Sequence, residues 1–232
     1  MTFYNHKTQI HTGNILREIV FGMEDGMVST LGSLTGVAIG SQNKEAVILA
    51  GFVIIAVESI SMGIGSFISN QTKQSSDKRI IAEEKIELRD YPKEEYKELE
   101  KMLIKEGWSK STTAQMMQEI VGNEKLMLKE MEYRELQISS EKPLSAIKSG
   151  IYMFSSYVLG GFVPLATYII FQIDKAPLFS IISTLLGLFM LGTLTTKFTK
   201  EKWYKSGFRV LVVGSIAMIV GLIVGKIFSL TN

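Results

Sequence analysis

The chain contains no cysteine, which excludes disulfides, thiolate metal sites and cysteine nucleophiles. Only two histidines occur, His6 and His11, and no Glu-x-x-His appears, so a ferritin-type di-iron centre has no support. The formal net charge of +2 is too small to point to nucleic acid as a partner. No apolar core with a small-residue cleavage site follows Met1, so a cleavable signal peptide is not expected. Residues 1–13 are polar and are read as a cytoplasmic N-terminal tail.

Long apolar runs are what the chain has. Residues 176–196 are 21 positions without a charge, and residues 149–173 are 25. Either run exceeds the roughly 20 apolar residues that cross a hydrocarbon core. Residues 46–69 carry a single charge, Glu58, near their centre. Residues 210–225 are uncharged and are followed by Lys226, which can snorkel to the interface. With the run from about Asn14 to Gly40, the expectation is an all-α integral membrane protein with five transmembrane helices. The domains expected are the tail (1–13), spans one and two (14–70), a cytoplasmic helical metal-binding insertion (71–142) and spans three to five (143–232).

Loop charge sets the orientation. Lys7 and Arg17 precede span one, and Lys197, Lys200, Lys202, Lys205 and Arg209 lie between spans four and five. Lys44 and Lys175 are the only basic residues in the other two short loops. The positive-inside rule then puts the N-terminus and the insertion in the cytoplasm and the C-terminus outside.

Three features carry chemistry. Gly22-Met23-Glu24-Asp25-Gly26-Met27-Val28-Ser29-Thr30 places two adjacent carboxylates at the head of an apolar run. Carboxylates inside a membrane are costly and usually face a bundle interior or a pathway. Gly32, Gly36 and Gly40 recur every four positions, which allows a partner helix close to the backbone. In span two, Glu58 and Met62 share one helix face. Hard carboxylate oxygen with soft thioether sulfur suits a borderline divalent metal such as ferrous iron.

The insertion, counted over residues 70–148, has 15 Lys and Arg against 16 Asp and Glu, the balance of a solvated helical domain. Span two is expected to run on into a helix over 71–89. Pro92 then opens a helix to about Glu106, Ser109 or Ser111 caps a third ending at Gly122, and Asn123 caps a fourth to about Ile138. Glu84 with Glu87, and Glu95 with Glu98, are pairs three apart that a turn at Tyr91-Pro92 could bring face to face. Met127, Met131 and Glu135 form a row at four-residue steps. Such a set could chelate divalent ions, but glutamates among lysines are also the ordinary pattern of a solvated helix face. Spans three to five contain no acidic residue and read as scaffold, with a kink expected at Gly160-Gly161-Phe162-Val163-Pro164.

Together these residues resemble the vacuolar iron transporter family. Residues Gly22 to Ser29 look like the first-span motif G-x-N-D-G-L-V-S, and Ser61-Met62-Gly63-Ile64-Gly65-Ser66-Phe67-Ile68-Ser69 looks like the second-span motif S-M-A-x-G-E-[YF]-V-S. The resemblance implies a dimeric exporter moving ferrous iron, with manganese as a second cargo, out of the cytosol in exchange for protons. It implies that Asp25 and Met62 line a route at the subunit interface, and that Glu84, Glu87, Glu95, Glu98, Met131 and Glu135 bind metal in the insertion. Met127 gives a competing register to Met131. No enzyme activity and no cofactor are implied; the membrane would be the plasma membrane in a prokaryote or the vacuolar membrane in a eukaryote.

Three departures stand out. Glu24 replaces the usual Asn, Ser66 replaces the Glu of the second motif, and Glu58 is an added carboxylate that could substitute for it. The transport-pathway set is therefore Asp25, Glu58, Met62 and Glu24. The alternative from another class is a membrane-anchored iron buffer or sensor that transports nothing.

Overall fold

The structure is a computed structural model that describes residues 6–138, 144–199 and 201–231. Among the described residues it is all helix, without a strand. The elements are α1 (His6–Ser41), α2 (Lys44–Asp90), α3 (Pro92–Lys105), α4 (Lys110–Ile120), α5 (Glu124–Arg134), α6 (Ala146–Ile170), α7 (Ala176–Thr199) and α8 (Trp203–Thr231). They form two compact units: residues 1–69 with 144–232, and residues 70–143.

In the first unit α1 is the interior helix. It packs against α6, α7 and α8, and its Met27, Leu31 and Leu34 are fully buried. Close approach depends on glycine. A Cβ at Gly26 would strike the Tyr157 carbonyl, one at Gly160 the Met23 carbonyl, and one at Gly221 the Gly32 carbonyl. Backbone cannot move aside as a flexible side chain can, so these crossings tolerate only glycine. Gly32, in the small-residue row of α1, is thus where α8 docks. α2 returns along α1 after Gln42 and Asn43, with the Asn43 carboxamide oxygen accepting from the N–H groups of Glu45 and Ala46 at 2.9 and 3.0 Å. Its Gly63 lies against Gly150 and Phe154 of α6, and its Gly51 against Leu165 and Leu34.

Among the described residues, four helices are long and apolar enough to cross a membrane: α2, α6, α7 and α8. The expected first span, α1, is not among them. Arg17, Glu18, Glu24 and Asp25 interrupt its apolar stretch, and it is helical already from His6, earlier than the polar tail reading anticipated. α6 runs continuously through Pro164, whose carbonyl accepts from the hydroxyls of Thr167 (2.8 Å) and Ser180 (3.1 Å). Gly160 and Gly161 serve close helix approach, Gly161 facing Ile55 and Thr30.

The second unit is built from the C-terminal part of α2 with α3, α4 and α5 around Leu88, Leu99, Leu103, Ile120, Met127 and Met131. Its boundaries follow local chemistry. Pro92 opens α3, where its missing N–H costs nothing. Ser109 caps α4 by accepting from Thr112 N–H, and Asn123 caps α5 by accepting from Leu126 N–H, both at 3.1 Å. Gly107 and Gly122, at φ 103° and 87°, supply the left-handed turns after α3 and α4. α5 stops at Arg134, short of the expected Ile138. Gln137 turns left-handed (φ 52°) and Ile138 N–H bonds back to the Glu132 carbonyl at 2.8 Å.

Candidate functional site

Two groups of acidic side chains are assembled, one in each unit. In the second unit the chain bends at Tyr91, whose N–H bonds the Glu87 carbonyl at 2.8 Å, and α3 folds back along α2. The bend brings Glu84 of α2 beside Glu95 of α3, and the end of α5 adds Glu135. Carboxylate oxygens of these three lie within 4.8 Å of one another. Glu84 is only 3% exposed and Glu95 only 8%, while Glu135 opens to solvent.

This geometry is electrostatically unfavourable without a cation. Burial, then the charges of Glu135, Glu95, Glu87 and Glu98, push the Glu84 carboxyl up to about 7. Glu95 is raised by burial and then by Glu135, Glu98, Glu87 and Glu94; Glu135 is raised by burial and then by Glu98 and Glu87. Glu87 and Glu98 are exposed and outside the converging trio, yet they belong to its field. The Oε1 atom of Glu84 is buried without a hydrogen-bond partner. A buried acceptor left unpaired costs about 1–3 kcal/mol, which a bound cation would remove. Met127 and Met131 are both buried in the apolar cluster of this unit, so both candidate registers place a thioether in the core of the site's domain.

A residue that sequence reasoning passed over steadies the trio. The Arg134 guanidinium, its side chain 9% exposed, donates to Glu130 at 2.9 Å and also pairs with Glu106 at the end of α3. It ties α5 to α3 at the position next to Glu135. The four-residue spacing from Glu130 to Arg134 was the available signal.

In the first unit, two rows face each other across α1 and α2. On α2, Glu58, Met62 and Ser66 follow at four-residue steps. On α1, Glu18 and Asp25 are seven residues apart, two turns along one face. The Glu18 carboxylate accepts from Ser66 Oγ at 2.9 Å, and Asp25 and Glu58 lie within electrostatic reach of each other. Antiparallel helices with these two points in common form a ladder, with Met62 between its rungs. Asp25 and Met62 are half-buried, while Glu58 is exposed on the single chain. Glu24 is half-buried beside Asp25, its charged neighbour on α1.

α6 contributes to this site despite its lack of charge. The Tyr157 hydroxyl is 2.5 Å from Ser29 Oγ, one turn beyond Asp25. Glu18 and Tyr157 were not among the candidates read from sequence. Glu18 carried a signal in its heptad spacing from Asp25; Tyr157, in an apolar run, carried none.

Similarity to known proteins extends over most of the chain. Residues 16–226 match the profile of the VIT family. The chain is 27% identical to vacuolar iron transporter 1 of Arabidopsis thaliana, over 97% of this chain and 92% of that protein. It is 28% identical to vacuolar iron transporter 1 of Eucalyptus grandis, over 88% and 83% of the two chains. It is 27% identical to the vacuolar iron transporter of Plasmodium falciparum (isolate 3D7), over 91% and 81%.

Proposed function

From the premise that this chain belongs to the VIT family, we propose a proton-coupled exporter of ferrous iron from the cytosol, with Mn²⁺ as a second cargo. It is a metal transporter of the membrane rather than an enzyme. The observation that carries this reading is Asp25 opposite Glu58 between α1 and α2, with Met62 one turn from Glu58. A buffer or sensor needs only the Glu84, Glu95 and Glu135 cluster and has no use for two costly carboxylates in apolar helices.

α1 is the fifth span in this reading. Its enclosure by α6, α7 and α8 explains why it can carry charge that a lipid-facing helix could not. The second unit would be cytoplasmic, and its carboxylates would collect the cation and raise its local concentration. Asp25, Met62 and Glu58 would bind it during passage. Protons compete for the same oxygens, because a protonated carboxyl is a poor ligand, so an acidic far side favours release.

The reading includes a homodimer. Glu58 is exposed at one edge of a broad face of α2 whose centre exposes Val53, Val57, Ile60, Ile64 and Ile68. A carboxylate at that depth facing lipid costs about 2–3 kcal/mol or more, and a second copy laid on the same face would shield it.

Proteoliposomes with an acidic interior test the proposal. Fe²⁺ uptake should follow the proton gradient and be lost in Asp25→Ala. Wild-type-like uptake by Asp25→Ala would sink the route; no uptake by the wild type, with metal still bound, would favour the buffer or sensor.

A further inference from the structure

We propose that Arg134 is a positioning residue for cation binding in the second unit. Held by Glu106 and Glu130, it fixes Glu135 within reach of Glu84 and Glu95. The inference rests on the reading of this unit as a cation collector and names what assembles its third ligand.

The three carboxylates are not held equally. Glu84 lies inside α2 and Glu95 inside α3, and the bend at Tyr91 sets their approach. Glu95 N–H bonds the Tyr91 carbonyl at 3.2 Å, so the second ligand is tied to that bend directly. Glu135 stands just past the last residue of α5, and its N–H and that of Leu136 share the Met131 carbonyl at 2.9 and 3.1 Å. Gln137 then turns left-handed, so no further helical turn supports Glu135. Helix ends fray first, and fraying here carries a ligand away.

Arg134 supplies the tie that the backbone lacks. Its side chain is 9% exposed; Nε donates to Glu130 one turn back at 2.9 Å, and Nη1 pairs with Glu106, the residue that closes α3. The Tyr133 ring lies 5.8 Å from the guanidinium, within cation–π range. A guanidinium donates from a rigid planar fork, so partners on two elements fix it and the neighbouring residue that ends α5. Both partners are carboxylates outside the converging trio. They satisfy the buried cation and leave the charge of Glu84, Glu95 and Glu135 for a metal.

Position and charge make opposite predictions. Removing a cation near three carboxylates makes the local field more negative and, acting through space alone, would tighten the binding of Fe²⁺. Removing the tie frees Glu135 and weakens binding. Because two carboxylates already cancel the Arg134 charge, the loss of position outweighs the gain in field.

Fe²⁺ binding is measured anaerobically by equilibrium dialysis of the full-length protein in detergent, in an Asp25→Asn parent that weakens the first-unit group. Arg134→Met should raise Kd about tenfold, the effect of losing one charged ligand contact. Arg134→Lys keeps the charge and should stay within about threefold of the parent. With Glu135 already changed to Gln, Arg134→Met should add less than about twofold, because a positioning residue acts only through the group it positions. A general loosening of the unit would weaken binding by the same factor in both backgrounds. Equal or tighter binding in Arg134→Met overturns the proposal, and so does additivity with Glu135→Gln. Should Arg134→Met lose its thermal transition, Glu106→Gln cuts the α3 side of the tie alone and enters the same cycle, with a rise of about threefold expected and no rise overturning the proposal. A parent that binds no Fe²⁺ removes the collector and the positioning role together. Binding that follows these expectations, without uptake by the wild type, leaves Arg134 in its role while the exporter fails.

Discussion

Ser29 Oγ and the Tyr157 hydroxyl meet at 2.5 Å across the α1–α6 crossing, one turn beyond Asp25. The contact exists because Gly26 lets the two backbones close up, where an added Cβ would strike the Tyr157 carbonyl. Tyr157 is fully buried, so its hydroxyl has no water to fall back on. Tyr157→Phe removes a neutral hydrogen bond worth about 0.5–1.5 kcal/mol and leaves Ser29 unpaired. The expected result is a small fall in thermal midpoint with a larger, severalfold fall in Fe²⁺ uptake, because the hydroxyl that holds Ser29 one turn from Asp25 is gone. Uptake equal to wild type would show that the hydroxyl serves packing alone.

Gly160 makes a sharper prediction about stability. A methyl there would press on the Met23 carbonyl, so Gly160→Ala forces α1 and α6 apart. Overpacking of this kind costs about 1–3 kcal/mol, against a helix-propensity gain of at most about 1. Gly13→Ala is the internal reference, since nothing lies within 4 Å of its added methyl. Thermal unfolding in detergent should place Gly160→Ala below wild type and Gly13→Ala level with it or above. Equal midpoints for the two would contradict the close crossing.

Metal binding by the second unit should depend on pH through Glu84. Its carboxyl titrates near 7, so below that value a cation must displace a proton. Affinity should fall by up to about tenfold per pH unit from 7 towards 5 and level off above 8. Dialysis of the Asp25→Asn protein against Fe²⁺ at pH 5.5, 6.5, 7.5 and 8.5 measures it. A flat profile over that range would show that Glu84 holds no metal.

Much of the second unit was legible in sequence because its boundaries are set locally. Pro92, Ser109, Gly107, Gly122 and Asn123 each fix a helix end through their own backbone or side chain, and each does so here. The end of α5 was misjudged because Gln137, not glycine, takes the left-handed turn. In the first unit the run from Asn14 to Gly40 reads as a span beside the other four, but among the described residues α1 falls short of their apolar character, because an interior helix can keep Glu18, Glu24 and Asp25. Tertiary pairing was the least visible layer. Neither the bond from Ser66 to Glu18 nor the meeting of Tyr157 with Ser29 leaves a trace at any fixed spacing.

The clearest separation of stability from function lies at Glu84. Its folded carboxyl is raised to about 7 from an ordinary carboxylate value, so the folded unit binds a proton more tightly than the unfolded chain. By linkage, the stability this group contributes is fully present below pH 4 and is lost as pH rises through 7. At pH 8 the metal-free unit therefore carries a charged, buried Glu84 with one oxygen unpaired. Glu84→Gln removes that charge. It should raise the thermal midpoint of the metal-free protein by a few degrees at pH 8 and hardly at all at pH 4.5. It should also abolish the gain in midpoint that Fe²⁺ gives the wild type at pH 8, because a carboxamide is a weak ligand. The chain has two tryptophans, so Trp203→Phe leaves Trp108 to report the second unit by fluorescence. A strained site held ready for a cation predicts both effects together. A merely solvated acidic face predicts neither, since removing one of many exposed charges shifts stability by a few tenths of a kcal/mol at most.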